Sequence, residues 1–114
     1  MTNFNESDTV ETGFSIKEVE FSDIDSMSRF AGKDDENITA IEERYPVRLV
    51  VRGNRVAVRG PDSGVVDMVH SLLEQLHKIA GKGHPLHLAD VRYAMDMIAE
   101  KGAVDLAPLF SEVI

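Results

Sequence analysis

Residues 30–59 read FAGKDDENITAIEERYPVRLVVRGNRVAVR, and the order of signals in this stretch decides the fold. Gly32 and Lys33 lie in a short loop. Asp34 or Asp35 is placed to cap a following helix, whose first-turn acids suit the positive end of the helix dipole. Ile38, Ile41 and Tyr45 make that helix's apolar stripe, and Pro46 disfavours helical geometry at Tyr45, so the helix ends there. Two β-prone, arginine-bearing runs follow, 47–52 and 55–60, separated by Gly53-Asn54, which suits a two-residue hairpin turn. In that register Arg52 lies opposite Arg55 and Arg48 opposite Arg59, with Val50 and Ala57 between them. All four guanidinium groups then leave one face of the pair, while Leu49, Val51, Val56 and Val58 point to a core. A one-residue slip would exchange the two sets.

Outward from this stretch the pattern continues on both sides. Upstream, Lys17, Val19 and Phe21 alternate against Glu18 and Glu20, so residues 14–21 read as a first strand. Ser22 or Asp23 caps a short helix running to about Ala31, with Ile24, Met27 and Phe30 facing inward and Gly32 ending it. Downstream, Pro61 and Asp62 open a long helix to about Ala80, whose Val65, Val69, Leu72, Leu76 and Ile79 form one stripe. Gly81 and Gly83 stop it, and Leu88 to about Lys101 reads as a last helix packing through Val91, Ala94, Met95 and Ile98. The expected architecture is α+β, in the order β-α-α-β-β-α with an appended helix. Its three-stranded antiparallel sheet is covered on one face by helices.

With 114 residues, 43% of them apolar, the chain is sized for one domain with a real core. It has no cysteine, which removes disulfides, thiolate metal sites and thiol nucleophiles. The start, MTNFNESDTVETG, has neither a basic n-region nor an apolar h-region, and no run is long enough for a membrane span. A cytoplasmic location is the expectation.

The net charge of −8 is unevenly laid out. Residues 1–46 carry 12 acids against 4 bases, and residues 61–114 carry 8 acids against 4. Residues 47–60, between them, carry 4 arginines and no acid. Phosphate contacts with Lys and Arg supply most non-specific affinity for nucleic acid, so a chain this acidic would meet a polyanion only through the strand pair.

Loop, helix and arginine-bearing strand pair, in that order, resemble the core of a KH-type nucleic-acid-binding domain. In such domains a Gly-x-x-Gly loop lets backbone N–H groups approach the nucleic-acid backbone. The corresponding tetrapeptide here is Gly32-Lys33-Asp34-Asp35, in which Gly32 and Lys33 fit the pattern and two carboxylates stand where phosphate would approach. A wider resemblance covers residues 14–102. Phe30-Ala31-Gly32 followed by Glu36-Asn37-Ile38, then Val51-Arg52-Gly53-Asn54, then Asp90-Val91-Arg92-Tyr93-Ala94, together resemble the N-terminal region of PhoH-like proteins, the phosphate-starvation-inducible ATPase family.

That resemblance implies a division into residues 1–13, a flexible acidic tail; 14–83, the KH-like domain; and 84–114, an appended helix and the start of a linker to an ATPase domain. It implies ATP and magnesium for that following domain, and an RNA-related process for the parent protein. This chain contains no G-x-x-x-x-G-K-[ST] run; Gly81-Lys82-Gly83-His84 follows a helix instead of preceding one and lacks the hydroxyl. No catalytic residue, cofactor site or metal site is therefore assigned within it.

Other candidates are thin. His70 and His77 stand seven apart on the long helix, too far to share a metal without help, while His84 and His87 flank Pro85 with Asp90 nearby, a spacing that a metal or a plain surface would both accommodate. No nucleophile motif surrounds Ser22, Ser26, Ser28, Ser63, Ser71 or Ser111. The residues expected to meet a partner or nucleic acid are Gly32, Lys33, Arg48, Arg52, Arg55 and Arg59. Three readings of the arginine face stay open: neutralisation by Glu18 and Glu20 from the first strand, docking onto an acidic surface of the ATPase domain or another subunit, and direct RNA binding.

Overall fold

The computed structural model describes residues 14–83 and 85–101. Its elements are β1 (Ser15–Glu20), α1 (Ile24–Ala31), a 3-10 turn (Lys33–Asp35), α2 (Glu36–Arg44), β2 (Arg48–Arg52), β3 (Arg55–Gly60), α3 (Ser63–Gly81) and α4 (Leu88–Lys101). The sheet order is β1-β3-β2, antiparallel throughout, and all the helices lie on one side of it. The fold class is thus α+β, with the expected element order. The acidic tail assigned to residues 1–13 lies outside the described residues, as do His84 and most of the linker segment.

Hairpin register follows from the turn. Gly53 supplies a positive φ of 62° at the first turn position, and Arg52↔Arg55, Val50↔Ala57 and Arg48↔Arg59 pair as the two-residue turn requires. Asn54 ties the turn to the end of β1: its Nδ2 donates to the Phe21 carbonyl at 2.7 Å, and the Phe21 N–H donates back to the Asn54 carbonyl at 2.7 Å. Val19, Phe21, Val56, Val58 and Leu49 enter one core with Phe30, Ile41, Leu72, Leu73 and Leu76. Val91, Ala94, Met95 and Ile98 of α4 are buried in the same cluster, as the last helix's pattern predicts.

Two positions expected in the core are not there. Val51 is 42% exposed although it shares the face of Val56, because β2 is an edge strand and α3 crosses over β1 and β3. Ile24 is 57% exposed. The inward arc of α1 is centred on Ser26, Met27, Phe30 and Ala31, which leaves Ile24 on its flank. A buried serine is tolerated there because its polar atoms are satisfied at once. The Ser26 N–H donates to Asp23 Oδ1 at 2.8 Å, its hydroxyl donates to the Asp23 carbonyl at 3.0 Å, and the Asp23 N–H donates to Ser26 Oγ at 3.2 Å. The bond from the Ser26 N–H first, and then the Ser26 side chain, holds the Asp23 carboxyl below its ordinary pKa. The cap's contribution is therefore complete above the ordinary carboxylate pKa and is lost as pH falls through the lowered one.

The turn between α1 and α2 also departs from expectation. Asp35 occupies the N-cap position of α2, but it is left-handed at φ 59° and its carboxylate caps nothing. Asp34 is left-handed too, at φ 54°, and Gly32 sits at φ 79°, ψ −179°, a region open essentially to glycine alone. A Cβ on Gly32 would stand 2.7 Å from Asn37 Nδ2. Gly32→Ala is therefore expected to lower stability by about 2 kcal/mol, measured by urea denaturation, from backbone strain and a displaced Asn37. An alanine variant as stable as the wild type would refute this account of the turn.

Both sheet edges carry a side-chain plug. On β2 the Leu49 N–H donates to Glu42 Oε2 at 2.8 Å. On β1, His70 Nε2 lies 3.1 Å from the Glu18 carbonyl, and Lys17 reaches Asp67 on α3 at 2.8 Å. Such occupied edge groups discourage strand addition, and the face of the sheet away from the helices stays open.

Candidate functional site

On that open face the strands set three rows side by side: Ile16, Glu18, Glu20 from β1; Arg59, Ala57, Arg55 from β3; Arg48, Val50, Arg52 from β2. The pleat sends these residues away from the helices, and all four arginines are exposed. Ile16 at one corner and Val50 beside the central Ala57, at 41% and 36% exposure, are the large apolar residues of the face.

Neutralisation is partial. Arg55 lies 3.9 Å from Glu18 and 4.0 Å from Glu20, with all three side chains more than half exposed. Pairs of that length in water contribute little. Arg59 sits 4.9 Å above the centroid of the Phe14 ring. Among the described residues, no carboxylate lies within ion-pair distance of Arg48, Arg52 or Arg59. Like-charged pairs directly across a ladder are unfavourable, and here two such pairs, Arg52–Arg55 and Arg48–Arg59, share one face.

Gly32 and Lys33 are elsewhere. They belong to the turn in the helical layer, whereas the guanidinium groups leave the sheet on its opposite side, so the structure does not bring the six expected contact residues into one surface. Lys33, Asp34 and Asp35 are exposed, and both aspartates are left-handed.

The residue that sequence reasoning overlooked is Asn37. It is fully buried, and its Nδ2 donates to the Phe30 carbonyl and to the Leu86 carbonyl, both at 2.9 Å. One amide thus joins the end of α1, the start of α2 and the segment leading into α4. Among the described residues its Oδ1 has no partner. The only signal in the sequence is a polar residue one turn before Ile41 on an apolar stripe.

Between α2 and α4 an open depression of about 320 Å³ is lined by Ala40, Glu43, Arg44, Arg92, Met95 and Asp96. Arg44 Nη1 meets Asp96 Oδ1 there at 2.7 Å, and this hydrogen bond holds the guanidinium above its usual pKa. Burial raises the neighbouring Tyr45 phenol likewise. The depression reads as a clasp between helices, with Arg44 already engaged. The histidines are dispersed: His70 serves the β1 edge, His77 packs edge-on to Phe21 at 5.0 Å, and the His87 N–H donates to Asp90 Oδ2 at 3.1 Å. Among the described residues, no three His, Asp or Glu side chains are grouped to hold a metal, and no helix is long and apolar enough to cross a membrane.

In comparisons with known proteins the chain matches no family model, no curated protein and no solved structure.

Proposed function

We propose that this chain is a non-catalytic, KH-like accessory module of a PhoH-like ATP-binding protein, docking through its arginine face onto an acidic surface of the ATPase domain or of another subunit. The observation that carries the reading is the open sheet face, where four arginines meet two glutamates and three of the arginines have no carboxylate partner among the described residues. The order β-α-α-β-β-α and the β1-β3-β2 sheet support the KH-like part. The PhoH-like part rests on the sequence resemblance.

Size and charge favour a protein surface over RNA. Three strands about 4.8 Å apart and five residues of about 3.3 Å each give roughly 15 × 17 Å, about 250 Å². That is well short of the 800 Å² or so per partner in a standard interface, so the face fits a module tethered to its partner or a short extended segment. A long polyanion would run off it onto an acidic protein whose net charge is −8.

The alternative is a direct RNA-binding module acting through the same strand pair. Titration with labelled single-stranded RNA separates the two. The wild-type chain is expected to show no saturable binding at physiological salt. Asp34→Gly/Asp35→Gly relieves two left-handed non-glycine residues and restores the two-glycine loop, and would strengthen binding only if RNA were the ligand. Tight, salt-sensitive binding by the wild type would overturn the docking reading. With no phosphate-cradling loop in the sequence, the chain alone is also expected neither to bind nor to hydrolyse ATP; micromolar affinity by calorimetry would contradict that.

A further inference from the structure

We infer that the partner reaches the arginine face as an added strand: a short, extended acidic segment pairing antiparallel with the outer edge of β2, with Glu42 as the gate. This deepens the docking reading of that face and rests on it. The register fixes which backbone groups meet the edge. The Leu49 N–H leaves the ladder outward, to Glu42 Oε2 at 2.8 Å, and direction alternates along an antiparallel strand, so the N–H and carbonyl of Val51 also point outward.

This strand also shows apolar side chains on both faces, Val51 at 42% exposure toward the helices and Val50 at 36% on the open face. Exposed apolar residues on an edge strand mark a place where another strand pairs. The opposite edge differs: on β1, Lys17 reaches across to Asp67, and His70 stands against the Glu18 carbonyl. Glu42 indicates what the β2 edge accepts. Its carboxylate oxygen fills the place of a carbonyl oxygen on an added strand, so it keeps out chance pairing and gives way to a segment that brings the same acceptor.

The side chains of the segment follow from the same register. Residues opposite Arg48, Val50 and Arg52 fall at the close, non-hydrogen-bonded positions of the new pair, on the open face, where opposite charges directly across stabilise. The segment therefore carries two acids four residues apart and an apolar residue opposite Val51. Glu-Val-Thr-Ser-Glu, laid from Arg52 toward Arg48, is such a sequence. A second copy's β2 is the wrong occupant, because full antiparallel overlap would set Arg48 of each chain against Arg52 of the other.

The test titrates that peptide, capped at both ends, into the isotope-labelled full chain, with affinity read from amide shifts. The largest shifts are expected at Leu49 and Val51. Three comparison peptides leave the protein unaltered. Glu-Val-Thr-Glu-Ser turns one acid to the helical side, and N-methylation of Val and Ser blocks the N–H groups that face β2; each is expected to bind about ten-fold more weakly. N-methylation of Thr alone, whose N–H faces away, should change affinity by less than about two-fold. Glu42→Ala removes the gate and should tighten binding about three- to ten-fold, with a thermal melt as its folding control. No saturable shift, or equal affinity for the peptide methylated on Val and Ser, overturns strand addition and leaves docking through charge alone. Single-stranded RNA shifting these amides where the peptide does not also overturns it. The docking reading fails separately, if Arg52→Glu/Arg55→Glu leaves peptide affinity unchanged.

Discussion

Asn37→Ala is expected to lower stability by about 3–5 kcal/mol, a drop in Tm of well over 10 °C for a domain of this size. Two terms add. The Phe30 carbonyl is one of the orphan acceptors at the end of α1, and the Leu86 carbonyl lies in the segment between α3 and α4; both lose the donor that the Asn37 amide supplies. A buried carbonyl left unpaired costs roughly 1–3 kcal/mol, and truncation adds a small cavity between three chain segments. Asn37→Asp is expected to be at least as damaging, because it replaces the donor amide with acceptors facing two carbonyl oxygens. Thermal melts of both variants, followed by circular dichroism, provide the check. A loss under about 1 kcal/mol for both would mean that the amide is not the joint described here.

Arg52→Glu/Arg55→Glu is expected to weaken association with the acidic partner by about 2–5 kcal/mol if the pairs are buried in the interface, and by much less at a solvated rim. The fold should not suffer. Both side chains are exposed, and the substitution removes a like-charged cross-strand pair while introducing another of opposite sign. Glu18 and Glu20 then stand beside the new carboxylates, so an acidic partner meets a face whose charge has changed from +2 to −2, four arginines and two glutamates becoming two and four. Calorimetry against the partner, with a melt of the double variant as control, separates lost docking from lost folding. Unchanged affinity with an intact fold would remove the arginine face from the contact.

The arginine rows were legible because one short signal sets them. A two-residue Gly-Asn turn allows a single register, and period-two alternation then assigns every side chain to a face. The helices of the core were legible from stripes such as Val69, Leu72, Leu76 and Ile79. Val51 was not, since its exposure depends on where α3 crosses the sheet, a tertiary fact that no local pattern carries. Ile24 and Ser26 exchanged roles because a capping box lets a serine be buried, which a hydrophobic count misses. The Asp35 cap failed for a related reason: side-chain chemistry suits that position, but the backbone arrives left-handed from Gly32 and aims the carboxylate elsewhere. Asn37 is the clearest case. Its partners lie 7 and 49 residues away, and only the folded chain brings them to one amide.

The docking proposal meets its most direct test in the amide spectrum of the isotope-labelled chain titrated with the ATPase domain that the proposal assigns to a parent protein. Shifts concentrated on residues 48–52 and 55–59, with little change in α3 and in the turn from Gly32 to Asp35, are the predicted result. Shifts centred on that turn, or on α2 and α4, with the strand pair undisturbed, would contradict it.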